Sequence, residues 1–189
     1  MISIKSRAEL DLMRKAGEVV ALAHKLVEDA IKPGITTLEL DRIVEEFIRK
    51  NNAISSFKGY KGFSGAIDYP GSICASVNNE VVHGIPSLRE LKDGDIISID
   101  IGVCLNGYHS DAARTFPVGK ISEKAARLIE VTRQSFYEGI KYAVKGNRIV
   151  DISGAIQDYV EKNGYSVVRE YVGHGIGKEM HESPQIPNY

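Results

Sequence analysis

Residues 98–116 read SIDIGVCLNGYHSDAARTF, and the fold turns on how this stretch is paired. Asn106-Gly107 lies between two alternating runs and predicts a two-residue type I′ turn, because both turn positions need positive φ. With those residues as the loop, Leu105 pairs with Tyr108, Gly102 with Asp111 and Asp100 with Ala113. Residues opposite each other share a face of the sheet, as do residues two apart. Asp100 and Asp111 therefore stand on one face as diagonal neighbours, about 7–8 Å apart at the backbone. Acidic side chains are rarely buried without a partner. Two at this spacing repel each other unless a shared proton, a Lys or Arg, or a metal lies between them. Two metal ions about 3.5–4 Å apart fit the gap. The alternative is a solvated pair on an exposed sheet face. Cys104 and His109 pair on the same face and offer a further arrangement, a Cys/His/Asp zinc site near the turn.

Outward from the hairpin, helical periodicity opens at Ser6, an N-cap, with Leu10, Met13, Ala16, Val20 and Ala23 recurring at spacings of three and four. Lys32-Pro33-Gly34 stops it. A second helix starts near Thr36 or Thr37 and carries Leu40, Ile43, Val44, Phe47 and Ile48 on one face. Residues 57–71, rich in glycine and aromatics, read as a loop. Strands are expected at 72–77, near 80–86 and at 165–172, and helices at 122–144 and 150–162. A weak internal repeat relates the turn and helix around residues 30–52 to those around 143–164, and suggests a duplicated helix–helix–strand unit. Its period is far too long for a solenoid.

The 189 residues suffice for one ordinary domain, and the composition, 43% hydrophobic and 26% charged with a net charge of −1, is that of a soluble globular chain. The mixed charges leave no basic footprint for nucleic acid. No run approaches a membrane span and the start lacks the apolar core of a signal peptide. Two cysteines, Cys74 and Cys104, make no disulfide framework. These features point to the cytoplasm.

Of the five histidines, His24 falls mid-helix and reads as structural or solvated. His83 sits beside Gly84 at the end of an apolar run, and His174 lies between two glycines, seven residues before His181. Glycine permits tight backbone near an imidazole. A lone histidine in such a place is more often a hydrogen-bonded loop residue than a ligand. The HExxH zinc helix is absent, since position 185 is Gln185.

The stretches FKGYKGF, CASVNNEVVHGIP, DIISIDIGVCLNGYHSDAARTF and YVGHGIGKEMHESPQIPNY, together spread along the chain, resemble the type I methionine aminopeptidases of the bacterial kind. The resemblance implies an α+β pita-bread fold, a pseudo-twofold antiparallel sheet flanked by helices. It implies one catalytic domain over 1–189, with a first pseudo-repeat at about 1–118 and an incomplete second at about 119–189. The implied activity is metal-dependent hydrolytic removal of the N-terminal methionine from peptides and nascent proteins, which makes ribosome association a further expectation.

By the same resemblance Asp100, Asp111 and His174 are metal ligands, with Asp111 bridging two divalent ions drawn from Co, Mn, Fe, Ni or Zn. His83 and His181 are catalytic residues that contact the substrate, and Tyr60, Phe63, Cys74 and Met180 line the methionine pocket. The thiol and thioether suit a soft, flexible side chain. The family motif needs two more glutamates, downstream of Tyr189. The chain therefore reads as C-terminally truncated, with one metal or none, little or no activity, and exposed strand edges open to self-association. Two rival readings are an Xaa-Pro metallopeptidase of the same fold and a metal-free binding module.

Overall fold

The computed structural model describes residues 2–61 and 67–189, so the expected pocket residue Phe63 lies outside the described residues. By internal contacts the chain divides into two compact units, one comprising Ile4–Ser122 with Ile176–Met180, the other built on Glu123–Gly175 and His181–Tyr189.

In the larger unit, α1 (Arg7–Ala30) and α2 (Thr37–Lys50) both begin with a capping box. Ser6 and Thr36 accept from the N–H of Glu9 and Glu39, whose carboxylates accept in return from the N–H of each cap. Four strands follow: β1 (Ile54–Ser55), β2 (Ile73–Val77), β3 (Ile96–Leu105) and β4 (Tyr108–Pro117). β3 is central. β1 and β2 pair antiparallel with successive parts of it, and β4 pairs with it through the turn at Asn106-Gly107. Both turn residues have positive φ, 52° and 80°, as the sequence requires, and the pairing of Leu105 with Tyr108, Gly102 with Asp111 and Asp100 with Ala113 is the expected register.

The alternation along β3 separates two environments. Ile97, Ile99, Ile101 and Val103 are fully buried and pack with Val20, Ala23 and Val27 of α1 and Leu40, Val44 and Ile48 of α2. The intervening residues Ser98, Asp100, Gly102 and Cys104 face the opposite way. The helices cover one face of the sheet, so the polar residues of β3 must stand on the other.

The smaller unit pairs α3 (Glu123–Ile140) with α4 (Ile149–Lys162) and adds β5 (Gly173–Gly175) antiparallel to β6 (Glu182–Ile186). The helices meet closely at Gly139, where a Cβ would stand 2.6 Å from Ile156 Cγ1. Ser153 Oγ donates to the carbonyl of Pro187 at 2.6 Å.

Two expected strands do not form. Residues 80–86 lack strand structure because His83 takes positive φ and Pro86 has no N–H to offer a ladder. Residues 165–172 have no partner strand among the described residues, and Val168 and Tyr171 are exposed. No described helix is long and apolar enough to cross a membrane.

Candidate functional site

The polar face of the sheet gathers the chemistry. Asp100 on β3 stands opposite Ala113 on one side and Cys74 of β2 on the other. Asp111 on β4 stands opposite Gly102. The face is partly roofed, because the ring of Phe57 occupies the space a side chain at Gly102 would take; a Cβ there would lie 2.6 Å from Phe57 Cε1. Phe57 is itself buried. The sequence reading passed over it as one aromatic among several in a loop; the glycine in the middle of a buried strand was the available signal.

Cys74 is buried beside Asp100. Burial is the main cause that pushes its thiol up to about 11, helped by the charges of Asp100 and Asp41 and opposed by a hydrogen bond with Tyr69. It is therefore a neutral thiol, a soft apolar wall and not a thiolate. Cys104 pairs with His109 as expected. His109 shares a 2.8 Å hydrogen bond between Nδ1 and Ser56 Oγ, so that nitrogen is already engaged and the zinc arrangement near the turn gains no support.

Two residues that the sequence reading missed hold β2 in place. Asp41, buried on the inner face of α2, accepts at Oδ1 from the N–H groups of Ser72 at 2.7 Å and Ile73 at 3.0 Å. Its signal was an acid lying between Leu40 and Val44 on the apolar face of α2. Tyr69 donates from its hydroxyl to the carbonyls of Ile73 at 3.0 Å and Gly84 at 2.9 Å. The Asp41 carboxyl is raised above its ordinary value, first by burial, while its two backbone bonds pull the other way. A raised folded value means that the folded chain binds this proton more tightly than the unfolded one. The contribution of Asp41 to stability therefore declines as pH climbs from 3.8 through the folded value. Asp41→Ala leaves two buried N–H groups without an acceptor and is expected to cost about 2–4 kcal/mol in denaturant unfolding. Asp41→Asn keeps an acceptor oxygen, loses the charge, and is expected to cost less than about 1 kcal/mol and to abolish the fall in stability that Asp41 contributes as pH climbs above 3.8.

His83 has φ of 60° and is exposed. The next residue, Gly84, is tied to β2: the Ala75 N–H donates to the Gly84 carbonyl at 2.8 Å and the Gly84 N–H donates to Ser76 Oγ at 3.0 Å. An uncommon backbone state in a bulky residue, held by bonds on its neighbour, is the pattern of a side chain placed for use. Tyr60 is exposed and Met180 half-buried. Met180 belongs to the segment docked on β4, where the His109 N–H donates to the Gly177 carbonyl at 2.7 Å.

In the smaller unit the rings of His174 and His181 lie 4.3 Å apart between centroids. His174 Nδ1 is 2.9 Å from the carbonyl of Gly175. A carbonyl only accepts, so Nδ1 carries the proton and the lone pair of the neutral ring is on Nε2. This is the tautomer that ligating histidines commonly adopt. Among the described residues no group of three or more His, Cys, Asp or Glu side chains forms a cluster suited to a metal. The carboxylate pair of Asp100 and Asp111 supplies hard oxygen donors of the type that divalent cations take.

The model of metallopeptidase family M24 matches residues 11–189. The chain belongs to this family. It is 60% identical to a methionine aminopeptidase of Clostridium acetobutylicum over 190 aligned positions, which cover all of this chain and 74% of that protein. A crystal structure of methionine aminopeptidase from Thermotoga maritima superposes with a TM-score of 0.95 at 44% identity, again over all of this chain and 74% of the other. Prolidase from Pyrococcus furiosus superposes at 0.85 with 25% identity, over 98% of this chain and 52% of that one. These M24 neighbours bear out the α+β pita-bread fold that the motifs implied.

Proposed function

We propose that this chain removes, or forms the larger part of an enzyme that removes, the N-terminal methionine of peptides and nascent proteins. The observation that carries the reading is the polar face of the β3–β4 hairpin, where Asp100 and Asp111 stand together. It belongs to a chain whose whole length matches methionine aminopeptidases. Asp100 and Asp111 offer carboxylate oxygens, and His174 offers the imidazole nitrogen left unprotonated by its bond to Gly175. By the resemblance, Asp100 and Asp111 would hold divalent ions of the Co, Mn, Fe, Ni or Zn group, and His174 is a further donor of the kind such ions take. When bound, such an ion polarises the scissile carbonyl and brings the pKa of a coordinated water toward about 7.

The remaining roles fall to the chain itself. His83, fixed by the strained backbone before Gly84, orients the peptide near its scissile nitrogen. His181 donates toward the substrate carbonyl oxygen as charge develops there. Cys74, a buried neutral thiol, forms an apolar wall for the methionine side chain, with Tyr60 and Met180 completing the part of the pocket that lies among the described residues. A cytoplasmic setting next to the ribosome fits the same reading. The outer edge of β4, exposed at Ala112, Ala113 and Arg114, is where a further strand or a second copy would pair.

The test is release of the first residue from Met-Ala-Ser, Leu-Ala-Ser and Ala-Pro-Ser by the Mn²⁺-loaded chain. Methionine is the residue expected to be released, and a chelator is expected to stop it. The two further glutamates that the resemblance calls for are not among these 189 residues, so the rate is expected to fall far below that of the 60%-identical relative. Faster cleavage of Ala-Pro-Ser than of Met-Ala-Ser would overturn the reading in favour of an Xaa-Pro enzyme.

A further inference from the structure

His24 lies in the middle of α1 and is 1% exposed. Its Nε2 is 2.8 Å from the carbonyl of Ala112, 88 residues away in sequence and next to Asp111 on β4. The carbonyl accepts, so Nε2 carries the proton. Nδ1 is buried with no hydrogen-bond partner among the described residues. A buried ring nitrogen without a partner opposes folding, and a residue present for packing alone would be apolar here. Burial also holds the imidazole below its ordinary value, which keeps it neutral.

The alternation of β4 says what this bond acts on. His109 directs its N–H away from β3, toward Gly177. The even positions of β4 therefore exchange backbone bonds with β3, and their side chains face α1. Three contacts run along that side. The Tyr108 hydroxyl donates to Glu9 Oε1 at 2.8 Å. Ser110 Oγ lies 3.5 Å from where a Cβ on Gly17 would stand. The Ala112 carbonyl receives His24. Asp111 projects to the opposite face between the last two. No strand pairs with the outer edge of β4 among the described residues. At Ala112, then, restraint comes from β3 on one side and from His24 behind.

We propose that His24 is a positioning residue for Asp111: from the helix side of the sheet it fixes the Ala112 peptide, and so the angle at which β4 presents the Asp111 carboxylate to a divalent cation. This rests on the reading of Asp111 as a metal ligand. Partners behind a ligand orient it and are felt in metal affinity.

The experiment titrates Mn²⁺ into the 189-residue chain as wild type, His24→Leu, His24→Met, His24→Gln and Asp111→Asn. It also follows amide hydrogen exchange at Ile101 and Ala112, the pair that exchanges backbone bonds where His24 makes contact. The two apolar variants fill the space without a donor, and the second guards against a packing failure of the first. They are expected to weaken Mn²⁺ binding roughly three- to tenfold, at or below the range for outer partners of ligands, and to speed exchange at both amides. Gln carries a donor at the reach of Nε2 and is expected to restore affinity to within about twofold of wild type. A merely structural role would move the unfolding midpoint and leave affinity unchanged. Wild-type affinity and exchange in both apolar variants overturn the inference. Undiminished binding by Asp111→Asn is a separate result: it overturns the ligand reading itself.

Discussion

Asp111→Asn is expected to erase most of the stabilisation that Mn²⁺ gives this chain. A cation that binds the folded state and not the unfolded one stabilises by about 2.7 kcal/mol at a hundred times its dissociation constant. Asparagine keeps the shape of the side chain and its place opposite Gly102 on β4, but loses the charge and one oxygen donor. Removing a group behind a ligand costs about 10–100-fold in affinity, so removing the ligand is expected to cost at least the upper end. At the same Mn²⁺ concentration a hundredfold loss leaves about 0.4 kcal/mol. Thermal unfolding with and without Mn²⁺ reads the difference directly, with the metal-free midpoint as the reference for the substitution itself. Asp100→Asn is expected to behave alike, because both carboxylates share one face of the hairpin. A Mn²⁺-dependent shift that survives both changes would mean that the pair is merely solvated, the reading the sequence left open.

Gly84→Ala is expected to be the most damaging single methyl group that can be added near the site. A Cβ at residue 84 would stand 2.3 Å from the Ala75 carbonyl oxygen, 2.7 Å from its carbon and 2.8 Å from Ser76 Cα. All three are backbone atoms of β2, a strand buried along its whole length, so no side chain can swing aside. Relief requires the 83–85 segment to withdraw. That breaks the bonds from the Ala75 N–H to Gly84 and from the Gly84 N–H to Ser76 Oγ, and strips one acceptor from the Tyr69 hydroxyl. Overpacking of about 1–3 kcal/mol and about 1 kcal/mol for each of the two bonds between Gly84 and β2 sum to roughly 3–5 kcal/mol, the Tyr69 hydroxyl keeping its bond to Ile73. Urea unfolding measures the loss. The withdrawal also carries His83 with it, so any residual peptide turnover is expected to fall further than the folded fraction does. A loss under about 1 kcal/mol would show that the segment is not pressed on β2 as described.

Much of this was legible before any coordinates. Asn106-Gly107 set the hairpin register, and the register alone put Asp100 and Asp111 on one face. Ser6 marked the start of α1 and Thr36 or Thr37 that of α2, and the structure adds Glu9 and Glu39, three residues on, as the partners that close each cap. The losses came where structure depends on a distant partner. The runs around Val81-Val82 and Val167-Val168 have strand-forming composition, but a strand exists only when a neighbour accepts its ladder. At 80–86 the backbone bonds go instead through Gly84 to one edge position of β2. Asp41 was missed for the same reason, and so was the partner of His24, a residue read only as structural or solvated. Each acts on backbone far along the chain, 31 residues away for Asp41 to Ser72 and 88 for His24 to Ala112, and no periodicity announces such a bond.

The one-sided sheet has a consequence for how this protein can change over time. Along β3 the odd positions 97–103 answer to the helices, while the even positions face away from them, toward the carboxylate pair, with Gly102 held free of a side chain by Phe57. The strand thus carries two interleaved messages that share a backbone but no readers. Substitutions at even positions can retune what the open face binds while the hydrophobic message stays intact, and the reverse holds for the core. The one edit that neither message survives is a change of phase: one residue gained or lost within the hairpin swaps the two readerships at a stroke. Lineages descended from this chain should therefore keep the length of 96–117 more strictly than the letters that neither the core, the turn at Asn106-Gly107 nor the carboxylate pair requires.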